Sequence, residues 1–223
     1  MPHDRFYIDA PLKGEVQLEG EEFHHLSRVM RKKEGDVVEL LNGKNTLALA
    51  TLSSISKHEA TLVVTQSEDR KPLLPPLKLI QAIPKMTPLE LILQKGTEIG
   101  ASHFHLYPSS LSEKREFSDN QKRRLHLILI GAMKQCGRLD LPILEWGFPP
   151  LEGNVFFGDL SADAPSLSEI ALLPATFIVG PEKGFTEEEI VDLHTKAQGV
   201  RLTPYTLRAE TAAIAGLAIL AQS

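Results

Sequence analysis

Residues 177–185 read FIVGPEKGF. Phe177, Ile178 and Val179 form a short apolar run of the kind found in buried strands. Gly180 and Pro181 cannot extend that strand, and glycine at 180 and 184 lets the backbone approach a ligand closely. Thr186 then caps a helix whose first turn holds Glu187, Glu188 and Glu189, where the macrodipole favours acids. A buried strand, a tight turn and a helix start are how α/β sheets build ligand sites at strand ends. The stretch therefore predicts an α/β domain with a ligand loop at Gly180–Phe185.

A second polar–apolar boundary lies downstream. Residues 207–212 read LRAETA, which puts Arg208 and Glu210 in the first turn of a helix that otherwise holds Ala, Ile, Gly and Leu up to residue 221. Such a helix is apolar on nearly every face and belongs in a core or an interface. An Arg at its edge needs a partner, because an unpaired buried charge is costly. Two readings follow. Arg208 forms an ion pair with Glu210 or Glu182, or it meets an anionic substrate that one of these acids orients. The small residues Ala212, Ala213, Ala215, Gly216 and Ala218 admit close packing, either of a second copy or of another part of the same chain.

Around these pieces the chain alternates strands and helices from residue 77 onward, with apolar strands at 77–83, 103–107, 155–157, 176–179 and 200–202. Helices are expected at 88–100 and 119–137, the latter with Asp119 as its cap. The first seventy residues differ. They carry short β-forming runs, a helical spacing over 21–31 and the hairpin pair Asn42-Gly43, which suggests a small β-barrel. Pro72, Pro75 and Pro76 divide the two parts. The expected organisation is a β-barrel domain over 1–71, a linker at 72–76 and an α/β domain over 77–223.

The net charge of −5 argues at first against nucleic acid, but it is unevenly spread. Residues 1–77 carry ten Lys/Arg against twelve Asp/Glu, residues 78–145 ten against seven, and residues 146–223 four against ten. Basic clusters at Arg28, Arg31, Lys32 and Lys33, at Lys122–Arg124 and at Arg138 suit a phosphate backbone, or equally a solvated surface. Cys136 is the single cysteine and reads as a packed small residue. It offers no disulfide framework, no leader segment is recognisable, and a cytoplasmic setting is expected. No apolar run reaches membrane-spanning length, so no membrane partner is expected. No metal is expected either, since the histidines have no ligand spacing; His24 and His25 are adjacent, one expected packed and one exposed. Dinucleotide, P-loop and nucleophile-elbow motifs are absent.

Five motifs in order resemble the RsmE family of SPOUT methyltransferases: HHLSRVMRKKEGD at 24–36, LELILQKGTEIGA at 89–101, AMKQCGRLDLP at 132–142, GPEKGF at 180–185 and LRAETA at 207–212. The resemblance implies a PUA-like β-barrel followed by a SPOUT domain with a C-terminal trefoil knot that binds S-adenosylmethionine. It also implies a homodimer that methylates N3 of a uridine in small-subunit ribosomal RNA, free or in the assembled subunit. On this basis Val179, Gly180, Pro181, Glu182 and Gly184 line the cofactor loop, and Leu202, Thr203 and Leu207 close it. Arg208 and Glu210 face the transfer centre, with Arg208 stabilising the uridinate oxygen and Glu210 or solvent taking the N3 proton. Arg28 and Arg31, with Lys32 and Arg138 beside them in the basic clusters, face the RNA. The chain departs from the family pattern at Lys183 and Thr203, where glycine is usual, and at Lys134 and Cys136, where Glu and Ser are. A positive-φ glycine replaced by Lys or Thr would cost backbone strain. Two other readings stay open: a SPOUT enzyme acting on a ribose 2′-hydroxyl, and a non-catalytic RNA-binding or assembly protein.

Overall fold

The computed structural model describes residues 4–223, so the first three residues of the expected 1–71 domain lie outside the described residues. Two compact units are present. One comprises the chain up to Leu73 together with Met133–Leu141, and the other Leu74–Ala132 with Pro142–Ser223.

In the first unit β1 (Arg5–Tyr7), β2 (Glu15–Glu19), β3 (Val37–Leu41), β4 (Thr46–Ile55) and β5 (Glu59–Asp69) form one sheet in the order β1-β3-β4-β5-β2. Strand alternation sorts the side chains: in β2, Val16 and Leu18 point inward while Glu15, Gln17 and Glu19 face solvent. Register shifts between β4 and β5 at Leu49/Ala50 and Leu52/Ser54 bend the pair. The curled sheet encloses Phe6, Leu18, Leu26, Leu40, Leu52 and Leu62, all essentially inaccessible. The helix expected over 21–31 is a short α1 (Gly20–His24) that widens into a π-turn at His25–Val29 and stops at Arg31, whose φ is +52°.

The hairpin at Asn42-Gly43 is four residues long. The Asn42 carboxamide oxygen accepts from the N–H of Lys44 at 2.8 Å and of Thr46 at 3.3 Å. This loop explains why Met133–Leu141 joins the first unit. Asn45 N–H donates to Leu139 O at 3.0 Å and Leu141 N–H to Gly43 O at 2.9 Å. Leu41, Met133 and Leu139 then close a small apolar cluster. A Cβ on Gly43 would sit 2.8 Å from that of Leu141. Lys134, one of the departures from the family pattern, donates to Glu22 at 2.6 Å, and Glu22 also accepts the Tyr7 N–H at 3.1 Å. Cys136 is exposed rather than packed, because it falls on the outer side at the end of α3 (Asp119–Cys136).

The second unit is a parallel sheet of β6 (Leu77–Ala82), β7 (His103–Tyr107), β8 (Ile143–Trp146), β9 (Asn154–Gly158), β10 (Ala175–Val179) and β11 (Gln198–Val200), in the order β11-β9-β10-β6-β7-β8. One face packs Ile80, Val155, Phe157 and Ile178 against Leu193 of α5 (Glu187–Lys196). The other carries α2 (Met86–Ile99) and α6 (Ala209–Leu220). Contact there is close: a Cβ on Gly216 would lie 2.1 Å from the Phe177 ring, and one on Gly96 2.7 Å from Phe104. Gly100 (φ +119°) ends α2 as expected. Ser118 rather than Asp119 takes the cap place of α3, its hydroxyl accepting from Gln121 N–H at 3.4 Å. Among the described residues no helix is long and apolar enough to cross a membrane.

Candidate active site

β10 lies between β9 and β6 and is buried along its whole length, as its apolar sequence requires. Because the sheet is parallel, β9, β10 and β11 all end at the same edge. Their register sets Ile178 beside Phe157 and Gly158 beside Val200. The segments leaving at Gly180, Asp159 and Arg201 therefore start within two interstrand spacings of one another, roughly 10 Å. This edge, beyond the carboxyl ends of the strands, is where open α/β sheets bind ligands.

The loop after β10 is tightly organised. Gly180 and Pro181 are buried, and Gly184 N–H donates to Pro181 O at 2.9 Å, closing a turn. The left-handed position is Gly184 (φ +75°). Lys183 does not have positive φ, so its replacement of glycine carries no backbone strain. Thr203 is also free of it. Its hydroxyl closes a local turn, accepting from Tyr205 N–H at 3.0 Å and donating to Tyr205 O at 2.9 Å. The strain expected at these two departures is thus absent. Phe185 stacks edge-on against Phe157, and Thr186 forms a full capping box with Glu189. A Cβ at Gly184 or Gly158 would meet nothing within 4 Å, so the backbone borders open space at both positions.

The Glu182 carboxylate, exposed on this loop, turns toward the start of α2. One carboxylate oxygen accepts the Lys85 N–H at 2.9 Å, at the start of α2, where the helix dipole favours an anion. Lys183 and Lys85 approach Glu113 at 3.6 and 3.9 Å, exposed pairs that contribute little. Leu202, Thr203 and Leu207 lie on the segment leaving β11. That segment begins with Arg201 N–H donating to Pro165 O at 2.8 Å and Leu167 N–H donating to Arg201 O at 3.0 Å.

Arg208 sits just before α6 in extended conformation, its side chain 86% exposed, while the Glu210 side chain is 16% exposed. They approach only to 4.0 Å, too far for a strong pair. The Arg208 guanidinium is thus held at the start of α6 and remains available to a ligand. Arg28, Arg31, Lys32 and Arg138 all belong to the first unit. Lys32 pairs with Asp4 at 2.6 Å and Arg138 with Asp140, whereas Arg28 and Arg31 are exposed. His25 rests against Phe6 and His24 is exposed, as expected.

Two surface depressions of about 410 Å³ each lie elsewhere in the second unit, one between α2 and α3 and one at the end of β8. They coincide with neither loop. A residue that sequence reading passed over does meet the loop: Gln81, the polar member of the apolar run at 79–83, donates to Gly180 O at 3.1 Å. Its polarity within a central strand was the available signal.

Known proteins align along this whole arrangement. A family model described as an RNA methyltransferase PUA domain matches residues 18–65, and one described as an RNA methyltransferase domain matches residues 70–148 and 159–221. The chain is 30% identical to ribosomal RNA small subunit methyltransferase E of Bacillus subtilis, over 91% of this chain and 88% of that protein. The enzyme of that name from Neisseria gonorrhoeae, in a crystal structure bound to S-adenosyl methionine, is 27% identical with a TM-score of 0.83, covering 97% of this chain and 95% of that one. A predicted RNA methyltransferase from Thermotoga maritima is 30% identical with a TM-score of 0.81, covering 99% and 98%.

Proposed function

Because this chain belongs to the RsmE family of RNA methyltransferases, we propose that it methylates N3 of a uridine in small-subunit ribosomal RNA, with S-adenosylmethionine as donor. The observation that carries this reading is the shared edge of β9, β10 and β11, from which the Gly180–Gly184 loop and the segment bearing Leu202, Thr203 and Leu207 both leave. Backbone groups at Val179, Gly180, Pro181 and Gly184 suit an adenosine, which is neutral and carries a flat base. Gly184 and Gly158 leave room for it to approach. When bound there, S-adenosylmethionine supplies an electrophilic methyl group on a sulfonium.

The chain's own residues do the rest. Positioning is worth most in a displacement of this kind. Arg208 faces the uridine carbonyl oxygen, on which negative charge grows as the N3 proton leaves, and stabilises it electrostatically. The Glu210 carboxylate, or solvent, takes that proton. Glu182 fixes the loop through the Lys85 N–H with one carboxylate oxygen and keeps the other for the donor. Arg28 and Arg31 of the PUA-like unit meet the RNA backbone; Lys32 and Arg138 join them by exchanging their present carboxylate partners for phosphate.

The reading includes a trefoil knot in the C-terminal segment, where Arg201 is hydrogen-bonded to Ala162, Pro165 and Leu167. It also includes a homodimer and a cytoplasmic setting. α6 still has half-exposed Ile214, Ala215, Ala218 and Ile219 after packing on the sheet, an apolar strip suited to a second copy. The non-catalytic alternative drew its support from Lys183 and Thr203 and loses it, since both sit in unstrained backbone. Mass spectrometry of ribosomal RNA from a deletion strain tests the reading. Loss of one N3-methyluridine is expected, and loss of a 2′-O-methyl group instead would overturn it.

A further inference from the structure

We infer that Gln81 is a positioning residue of the donor site, its side-chain amide setting the carbonyls of Val179 and Gly180 against which the methyl donor is held. The inference rests on the donor-site reading above. Gln81 is fully buried near the end of β6, directly opposite Val179 of β10. Its Nε2 lies 2.9 Å from Ala82 O, 3.1 Å from Gly180 O and 3.5 Å from Val179 O. Its Oε1 is buried and has no hydrogen-bond partner. Flipping the amide would set Oε1 against three carbonyl oxygens, so its orientation is fixed by repulsion as well as attraction.

Such a group is an expensive way to fill a core. The neighbours of Gln81 along the strand are Leu79, Ile80 and Ala82, and an aliphatic side chain would occupy the same volume without a buried orphan acceptor. Nor does the sheet need it, since β6 and β10 are already laddered over five residue pairs. What the amide alone does is reach past the last of these pairs to the first residue of the loop. Together with the Glu182 bond to Lys85 N–H, it pins the loop at root and tip from one short segment, residues 81–85. A rigid carbonyl array spares the donor the cost of ordering the loop on binding.

Gln81→Met and Gln81→Leu in the full chain test this by titration calorimetry with S-adenosylmethionine. The dissociation constant should rise at least tenfold, while the unfolding temperature without donor stays within a few degrees. In steady-state assays KM for the donor should rise in step, with kcat at saturating donor and KM for RNA within twofold of wild type. A merely structural role would lower stability and every kinetic constant together. A donor affinity within twofold of wild type overturns the inference. Should both variants fail to fold, the wild type still decides. Its Gln81 side-chain amide resonances should shift when S-adenosylmethionine is added, and unchanged resonances overturn the inference. If the wild type does not bind the donor at all, it is the site reading that fails; wild-type binding with unaffected variants defeats the role of Gln81 alone.

Discussion

In the loop after β10 the left-handed backbone position is Gly184 (φ +75°), whereas after the π-turn of the first unit it is Arg31 (φ +52°). The two stretches carry opposite compromises. The first has changed side chains freely at Lys183, where any residue fits, and kept glycine where the chain demands it. The second keeps a long cation in a conformation that costs a non-glycine residue about 1–2 kcal/mol. It also has a π-turn, a rare feature often found at functional sites, and a buried His25 Nδ1 with no hydrogen-bond partner. Strain is retained only where something else is gained. The donor loop works through its backbone and is relaxed; the basic stretch works through its side chains and is not.

The largest effect should come from Arg208→Ala, which removes a side chain and leaves the donor loop's backbone alone. Turnover should fall at least 100-fold, the scale of one lost electrostatic stabiliser, with donor affinity within twofold of wild type. A single-turnover assay beside calorimetry checks it, and retained turnover would remove Arg208 from the transfer step. Next is Gly184→Ala, expected to cost about 1–2 kcal/mol in folding or donor binding, against no measurable change for Lys183→Ala. Equal effects from the two would mean that the loop is not backbone-controlled. Arg31→Gly should stabilise the protein by up to about 1 kcal/mol once the added entropy of glycine is subtracted. The same change should weaken RNA binding and lower its log–log salt slope by about 0.7, the loss of one single-strand phosphate contact. Unchanged salt dependence would take Arg31 off the RNA.

The smallest effect concerns pH. Burial acts to raise the Glu189 carboxyl, but hydrogen bonds from Ser110 and Thr186 outweigh it and hold it below the ordinary value. A depressed folded-state value gives stability that is full above the unfolded value and is lost as pH falls through the folded one. Glu189→Gln should therefore lower stability slightly near neutrality, leave it almost unchanged at pH below the folded value, and so flatten the acid limb. Chemical denaturation at several pH values reads this directly.

Much of the second unit was readable because its signals are local. The apolar run of β10, the Thr186 capping box and Gly100 at the end of α2 depend on near neighbours in sequence, and all appear where expected. β8 was missed because ILEW alternates weakly and is half exposed. The return of Met133–Leu141 to the first unit was missed for a different reason. It depends on Leu41 and the Asn42–Asn45 loop, ninety residues away, and nothing in its own composition announces that partner. At the site, the loop and the helix start were legible as motifs. Gln81 and the true partner of Glu182 were not, because each is defined by where another segment's backbone ends up.

That returning segment decides how the protein can be taken apart. A fragment stopping at residue 73 would keep Tyr7, Leu41 and Leu47 but lose Met133, Leu139 and Leu141, the residues that shelter them, along with Lys134, the counter-ion of Glu22. It would display a bare greasy patch where the intact chain has none. Severing the gene at the prolines therefore yields not an RNA-binding module but a sticky remnant. An excised version has to carry residues 133–141 with it, grafted through a new connection.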